Sequence, residues 1–195
     1  MVKISIPKII KREEVKIIMI CDAPPENKED YFYSSQDSLY VANTIDAFNN
    51  AGVKVKDIND IIKKGVYLTV AIKVPRKSLT IPTGVIKEHS YTLEEELNVF
   101  PNIKAILLMG DAAIKSFNYI SQRATGKKVI PSGSTYKIRG GKFFYENIRV
   151  FPSYLQTGKN FLIEKTKQKM VAEDIKNAFK LIRNKKEFAA KEKCE

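Results

Sequence analysis

Few side chains in this sequence can bind a metal or form a nucleophile–base pair. Its two cysteines, Cys21 and Cys194, lie far apart, and His89 is its one histidine. Structural zinc sites and iron–sulfur clusters usually need four such ligands, so we expect neither a metal nor an organic cofactor. A single histidine also makes Ser-His-Asp or Cys-His catalysis an unfavourable hypothesis. Two distant cysteines build no disulfide framework, which favours a reducing, cytoplasmic location.

Long apolar runs are missing too. Residues 1–7 lack the apolar core of a signal peptide, and no run approaches the roughly 20 residues that a membrane-spanning helix needs. We therefore expect no membrane partner. The 195 residues, 44% hydrophobic and 29% charged, suit one globular domain over residues 1–195, which we expect to be a monomer. Its Lys-rich tail is expected to fray from residue 184.

The charge balance is strongly basic. Lys plus Arg outnumber Asp plus Glu by 34 to 22, which gives a formal net charge of +12. An excess of this size attracts polyanions, so it points to nucleic acid or to an anionic surface. A generally lysine-rich composition explains the same count equally well, and charge alone does not separate these two interpretations.

Four apolar segments predict the strands of a sheet. They cover residues 15–20, 66–72, 103–109 and 148–151, and two further β-like stretches surround the glycine pair at residues 140–141. Near-continuous apolar strands are typical of a sheet covered on both faces, and helical segments separate these four. The sequence therefore predicts an α/β fold, a three-layer α/β/α sandwich around a mainly parallel sheet of four strands.

The predicted helix boundaries rest on capping patterns. Residues 34–37 have capping-box spacing before the first long helix, and Thr92 is predicted to open a short one. Asp111 follows a strand and is predicted to cap the next helix. Apolar periodicity predicts the last helix over residues 160–183.

The expected ligand site lies at one edge of this sheet. Ligands of open parallel sheets bind outside the carboxyl ends of the strands. The loops at residues 22–33, 73–77, 110–111 and 151–159 follow the four predicted strands and should gather there. Their convergence on a basic chain suggests a cleft that faces nucleic acid.

Three short motifs lie at the ends of predicted strands. They are Cys-Asp-Ala-Pro-Pro at residues 21–25, Leu-Leu-Met-Gly-Asp-Ala-Ala-Ile-Lys at residues 107–115 and Phe-Pro-Ser at residues 151–153. In this order and spacing they resemble the Gly-Glu-Ala-Pro-Gly loop, the Leu-Gly-x-x-Ala-Leu-Lys segment and the His-Pro-Ser motif of the uracil-DNA glycosylase superfamily. The resemblance runs from about residue 16 to residue 183. It implies hydrolysis of the N-glycosidic bond of a deaminated or damaged base flipped out of DNA.

The resemblance also implies roles for single residues. It assigns water positioning and stabilisation of the positively charged sugar to Asp22, and stacking on the base to Phe32. Further residues expected at the base are Ala23, Tyr31, Tyr33, Thr69, Val70 and Phe151. Residues expected to contact single- or double-stranded DNA are Lys73, Arg76, Lys77, Ser132, Ser134, Pro152, Ser153, Tyr154, Leu155 and Lys159, with Leu155 or Tyr154 entering the base stack.

Two departures from the family pattern keep other hypotheses open. Phe151 stands where the family has a histidine that hydrogen-bonds the leaving base, and Thr69-Val70 stands where it has an asparagine that recognises uracil. The alternatives are a catalytically weak or inactive DNA-binding or lesion-sensing module and a hydrolase of free nucleosides or nucleotides. Asp22 could instead bond nearby backbone amides, and Ser132 could belong to a plain turn.

Overall fold

The computed structural model describes residues 6–34, 37–75, 80–157 and 159–191. Its strands are β1 (Ile17–Cys21), β2 (Val66–Val70), β3 (Ala105–Met109), β4 (Phe143–Tyr145) and β5 (Ile148–Ser153). Its α-helices are α1 (Leu39–Asn50), α2 (Ile58–Lys63), α3 (Thr83–Leu97), α4 (Asp111–Thr125), α5 (Thr135–Ile138) and α6 (Lys165–Lys191). Short 3₁₀ turns cover Arg12–Glu14, Lys28–Asp30 and Lys159–Leu162.

The strands form one five-stranded sheet in the order β2-β1-β3-β5-β4. The first four strands of that order pair in parallel, and β4 pairs antiparallel with β5. The predicted α/β class and the mainly parallel sheet are confirmed, while the predicted number of four strands is wrong by one. The added strand is the stretch after the glycine pair, and the stretch before the pair forms α5 rather than a strand.

Helices cover both faces of the sheet. Every residue of β1 is buried, and alternate side chains belong to two separate apolar cores. Ile17 and Met19 pack with α1, α2 and α6, whereas Ile18 and Ile20 pack with α3 and α4. Because side chains alternate between the faces of a strand, burial on both faces requires the continuous apolar runs seen in the sequence.

Helices α1, α3 and α4 begin at positions other than those predicted. The N-cap of α1 is Ser38, whose hydroxyl accepts a hydrogen bond from the Val41 N–H at 3.2 Å, so the cap follows residues 34–37. Helix α3 begins at Thr83, and Thr92 lies inside it. Pro82 precedes α3 and makes no side-chain cap, which explains why a search for polar caps misses this start. The N-cap of α4 is Gly110, and Asp111 is its first helical residue.

The last helix is displaced toward the C-terminus. It begins at Lys165, after the turn Lys159–Leu162, and continues to Lys191, beyond the predicted end at residue 183. Ile175 and Phe179 pack in the core as the periodicity predicts, but Ile163 precedes the helix and is 78% exposed. In the described part of the chain, no helix combines the length and the apolar content that crossing a membrane requires.

Strand β5 continues through Pro152 to Ser153, although the extended pattern predicts its end at Phe151. Arg149 N–H bonds Lys104 C=O, and Gly110 N–H bonds Ser153 C=O, so the odd-numbered residues of β5 point their backbone groups toward β3. Pro152 therefore points its nitrogen to the opposite side, past the end of β4, whose pairing stops at Val150. No ladder hydrogen bond is lost, which is why a proline is tolerated there.

Candidate functional site

The strand order of the sheet reverses between the neighbouring strands β1 and β3. The chain passes from β1 to β2 on one side and from β3 to β5 on the other, and α1 and α4 lie on opposite faces. Such a point opens a crevice at the carboxyl ends of the two neighbouring strands, where ligands of this class of fold bind. Asp22 follows β1 and Gly110 follows β3, so these two residues meet in the crevice.

The side chain of Asp22 fills this crevice and caps α4. Only 7% of Asp22 is exposed, and its Oδ1 accepts a hydrogen bond from the Ala113 N–H at 3.1 Å. Gly110 has no side chain with which to cap the helix, and a Cβ built on it would lie 2.6 Å from Asp22 Oδ1. Asp22 thus supplies the missing cap from another strand, and its negative charge lies at the positive end of the helix dipole.

A pocket of about 330 Å³ lies at the carboxyl end of β2. We call it the tyrosine pocket, because Tyr31, Tyr33 and Tyr67 form part of its wall. Of the residues predicted at the site, it brings together Tyr31, Tyr33, Thr69, Val70 and Lys73. The volume falls at the lower end of the range that small-ligand sites occupy. Pro24, Pro25 and Glu96 also line the tyrosine pocket.

The three adjacent aromatic residues of the first loop have different environments. Phe32 is 1% exposed and belongs to the core beneath α1. A base cannot stack on a ring that the protein interior already covers, so this conformation gives the predicted stacking on Phe32 no support. Tyr33 donates its hydroxyl hydrogen to Leu68 C=O at 2.7 Å and accepts from Leu68 N–H at 2.9 Å. It thereby satisfies backbone groups of β2, an edge strand.

Tyr31, like Tyr33, is half-buried. Its ring lies 5.1 Å from that of Phe32 and 5.8 Å from that of Tyr33, at tilted and edge-on angles. Burial, with smaller contributions from Glu96 and Cys21, raises the pKa of the Tyr31 hydroxyl, against a smaller opposing effect of Thr69. The hydroxyl therefore stays neutral at ordinary pH. A neutral, partly exposed aromatic wall is what stacking on a base requires.

A buried ion pair forms the floor of the tyrosine pocket. Glu96 is 3% exposed, and its carboxylate accepts hydrogen bonds from Tyr67 Oη at 2.5 Å, from Thr69 Oγ1 at 2.7 Å and from Lys73 Nζ. Lys73 Nζ also donates to Val70 C=O at 2.7 Å and to Thr69 Oγ1 at 3.1 Å. Burial lowers the pKa of the Lys73 ammonium, and Glu96 opposes that shift. The Lys73 ammonium therefore lies at the pocket floor and not on an exposed rim. Its position does not support the predicted contact between Lys73 and phosphate.

Sequence reasoning missed Glu96 and Tyr67. Glu96 is the third of three successive glutamates, and on α3 the buried residues Ile86 and Leu93 precede it by ten and three positions. Residues three apart share a helix face, so the helical spacing would have placed Glu96 inward if α3 had been predicted from Thr83. Tyr67 lies in the middle of an apolar strand. The sequence does not show that the Tyr67 hydroxyl has a hydrogen-bond partner, because that partner, Glu96, lies on α3.

The described residues of β5 and of the loop after it do not line the tyrosine pocket. Phe151, Pro152 and Ser153 are all buried within β5. This conformation therefore gives no support to the predictions that Phe151 contacts a base and that the other two contact DNA. Ser153 Oγ donates to Asp174 Oδ2 at 2.6 Å, and Asp174 Oδ1 accepts from Arg139 at 2.8 Å. Burial raises the pKa of Asp174, and Ser153 and Arg139 oppose that shift. These contacts join β5 to α6.

The remaining predicted residues are dispersed. Tyr154 and Leu155 are half-buried against the core, and Ala23 offers its carbonyl to the Tyr40 hydroxyl at 3.1 Å. Ser132 lines a separate cavity of about 310 Å³, and Ser134 is the N-cap of α5. Arg76 and Lys77, and the side chain of Lys159, lie outside the described residues.

A buried amide closes the crevice from the side of α1. Gln156 is fully buried, and its Nε2 donates to Cys21 Sγ at 3.2 Å and to Thr44 Oγ1 at 3.3 Å. Burial raises the pKa of the Cys21 thiol to about 12, against a smaller opposing effect of Gln156. The thiol is therefore protonated and covered, and sequence gave no sign that Gln156 would be its partner.

We expect Cys21 to resist alkylation in the native protein. Only the thiolate reacts, and burial suppresses both its formation and its contact with a reagent. Iodoacetamide at neutral pH should leave the Cys21 peptide unmodified in native protein and label it fully in guanidinium chloride, as measured by peptide mass spectrometry. Similar labelling rates in the two conditions would contradict the buried position.

Among the described residues, no group of three or more His, Cys, Asp or Glu side chains could hold a metal ion. The chain matches no protein-family model, and a search of curated proteins finds no significant match. The geometry of the crevice and of the tyrosine pocket therefore carries the functional argument.

Proposed function

We propose that this protein is a uracil-DNA glycosylase-like module that binds DNA and receives an unpaired base in the tyrosine pocket. The observation that carries the proposal is that Tyr31 and Thr69-Val70 line one cavity. The resemblance expects base stacking after the first loop and base recognition at the end of the second strand. Both segments contribute to the tyrosine pocket.

The chemistry of the tyrosine pocket suits a flat, uncharged ring. Tyr31, Tyr67 and the two prolines Pro24 and Pro25 supply aromatic and apolar surface. The buried charges of Lys73 and Glu96 are opposite and paired, so they place no net charge at the floor. A base held outside its helix needs stacking surfaces more than it needs charge, and every base has a face that can stack.

Base excision is the second candidate, and the position of Asp22 favours it. Asp22 precedes the pocket-lining Pro24 by two residues and lies at the carboxyl end of β1. An ionised carboxylate there would orient water and stabilise an oxocarbenium-like sugar. Against catalysis, the carboxylate already caps α4, and buried Phe151 has no hydrogen-bond donor for the departing base. We therefore favour binding of an unpaired base over hydrolysis of its glycosidic bond as the proposed function.

We expect Tyr31→Ala to weaken binding to DNA that carries an unpaired base. Loss of one stacking surface should lower affinity about tenfold, since base–aromatic stacking contributes about 1–3 kcal/mol. Fluorescence anisotropy with a duplex containing one bulged base and with a fully paired duplex measures the effect. Only affinity for the bulged duplex should fall.

Tyr136→Ala is the matched control, because Tyr136 is 67% exposed on α5 and does not line the tyrosine pocket. Equal losses in the two variants, or an unchanged Tyr31→Ala, would contradict base binding in the pocket. The same protein, incubated with uracil, hypoxanthine and xanthine oligonucleotides, tests excision. Cleavage by wild type and its loss in a folded Asp22→Asn variant would move the proposal from binding to catalysis.

A further inference from the structure

A groove of about 710 Å³ runs along α6 beside the C-terminal end of α1. Four exposed lysines of α6 line it: Lys165, Lys169, Lys176 and Lys180. We call this surface the lysine groove. A helix rises 1.5 Å per residue, so these lysines extend over about 22 Å. The tyrosine pocket contains none of these residues.

The positive charge of the lysine groove is not neutralised within the described part of the chain. None of the four lysines forms an ion pair there. Glu173, which also lines the groove, is paired with Arg139 at 3.0 Å, and Glu164, the neighbour of Lys165, is paired with Lys167 at 2.7 Å. Unpaired charges of one sign in a concave surface focus the electrostatic field on an incoming polyanion.

Nucleic acid fits this surface better than a membrane or a folded protein does. An amphipathic helix binds a membrane through a free apolar face, but Val171, Ile175 and Phe179 of α6 are buried in the core. Protein–protein interfaces are depleted in lysine relative to the remaining surface, and this groove contains four. A regular polymer of phosphates accepts an extended row of lysines without any apolar contact.

We propose that the lysine groove holds the sugar–phosphate backbone of nucleic acid. This inference rests on the proposed function, because it names the surface that binds the backbone of the nucleic acid. It also differs from the sequence-based expectation, which placed the phosphate contacts at Lys73, Arg76, Lys77 and Lys159. Lys73 is paired with Glu96, and the basic groove that the structure describes lies on α6.

The test replaces Lys165, Lys169, Lys176 and Lys180 together by glutamine, which keeps a high helix propensity. The matched control replaces four exposed lysines outside the lysine groove: Lys87, Lys127, Lys137 and Lys142. Both variants lower the net charge by the same amount. Binding of a short labelled duplex is measured by anisotropy over a series of salt concentrations, after circular dichroism has confirmed that both variants fold.

The groove variant should bind at least about tenfold more weakly at low salt, and the slope of log affinity against log salt should decrease by about 3. The control variant should keep most of the wild-type slope. Equal losses in the two variants, or an unchanged slope in the groove variant, would overturn the proposal. Binding of wild type and of the groove variant to phosphatidylserine vesicles is measured as well. A groove variant that loses vesicle binding but keeps its binding to DNA would also overturn the proposal.

The same titrations separate this proposal from the proposed function. If wild type binds no DNA, both fail. If DNA binding depends on the lysine groove and Tyr31→Ala has no effect on the bulged duplex, the base-binding proposal fails and the backbone surface stands. If Tyr31→Ala weakens binding to the bulged duplex and the groove variant binds normally, the lysine-groove proposal fails and the base-binding proposal stands.

Discussion

Replacing Gly110 by alanine should destabilise the protein by about 2–5 kcal/mol. Gly110 has a φ of +108°, which side-chain-bearing residues rarely adopt, and the added Cβ would lie 2.6 Å and 2.7 Å from the two carboxylate oxygens of Asp22. Asp22 cannot withdraw without giving up its hydrogen bond to the Ala113 N–H. Denaturation by guanidinium chloride, followed by circular dichroism, measures the change in the free energy of unfolding.

Gly126→Ala is the control for this substitution. Gly126 ends α4 with a φ of +75°, and a Cβ there would meet no atom within 4 Å. Its replacement should cost only the strain of a left-handed residue, about 1–2 kcal/mol. Gly110, with φ +108° and ψ 174°, has the more strained backbone of the two, so the difference between the variants gives an upper limit on the cost of the contact with Asp22. Equal destabilisation would show that backbone strain alone explains the loss at Gly110.

A double-mutant cycle extends this test to the role of Asp22. Asp22→Ala removes the cap of α4 and should cost about 0.5–2 kcal/mol, but it also makes room for a Cβ at Gly110. The double variant should therefore be more stable than the sum of the single effects predicts. Strict additivity would mean that the carboxylate does not lie against Gly110. The cycle also shows how much stability the Asp22 carboxylate contributes. A loss of activity in Asp22→Asn can then be compared with the loss of stability at the same position.

The sheet was predictable from the sequence because its strands are covered on both faces. Continuous apolar residues in β1, β2 and β3 are a direct consequence of two cores, and short-range patterns detect them. Strand β4 has three residues, of which none is fully buried, so its pattern carries little signal. The start of α3 escaped prediction because Pro82 offers no side-chain cap. In both cases the sequence pattern that would mark the element, continuous apolar residues for β4 and a polar N-cap for α3, is missing.

The candidate site was predictable only as a region. The sequence indicates that the first loop and the end of β2 come together, because parallel strands end at the same edge. It does not show which of three consecutive aromatic rings is buried, because only tertiary packing places Phe32 in the core and leaves Tyr31 and Tyr33 half-buried. It also cannot show that Lys73 turns inward, because its partner Glu96 is 23 residues away.

Replacing Phe32 by alanine should cost about 3–5 kcal/mol of stability, the range found for large aromatic side chains in cores. Phe32 packs 4.7 Å from the Tyr40 ring and 5.1 Å from that of Tyr31, so its loss opens a cavity beneath the first loop. Tyr136→Ala, at an exposed ring, should change stability by less than about 0.5 kcal/mol. Urea denaturation of the three proteins measures both effects.

Phe32→Leu separates packing from ligand contact. Leucine keeps most of the apolar volume, so the variant should fold and lose less stability than Phe32→Ala. If Phe32 is core, Phe32→Leu should bind the bulged duplex with wild-type affinity while Tyr31→Ala does not. A Phe32→Leu protein of normal stability that binds the bulged duplex poorly would return base stacking to Phe32. That result would require the first loop to open, because the ring is 1% exposed in this conformation.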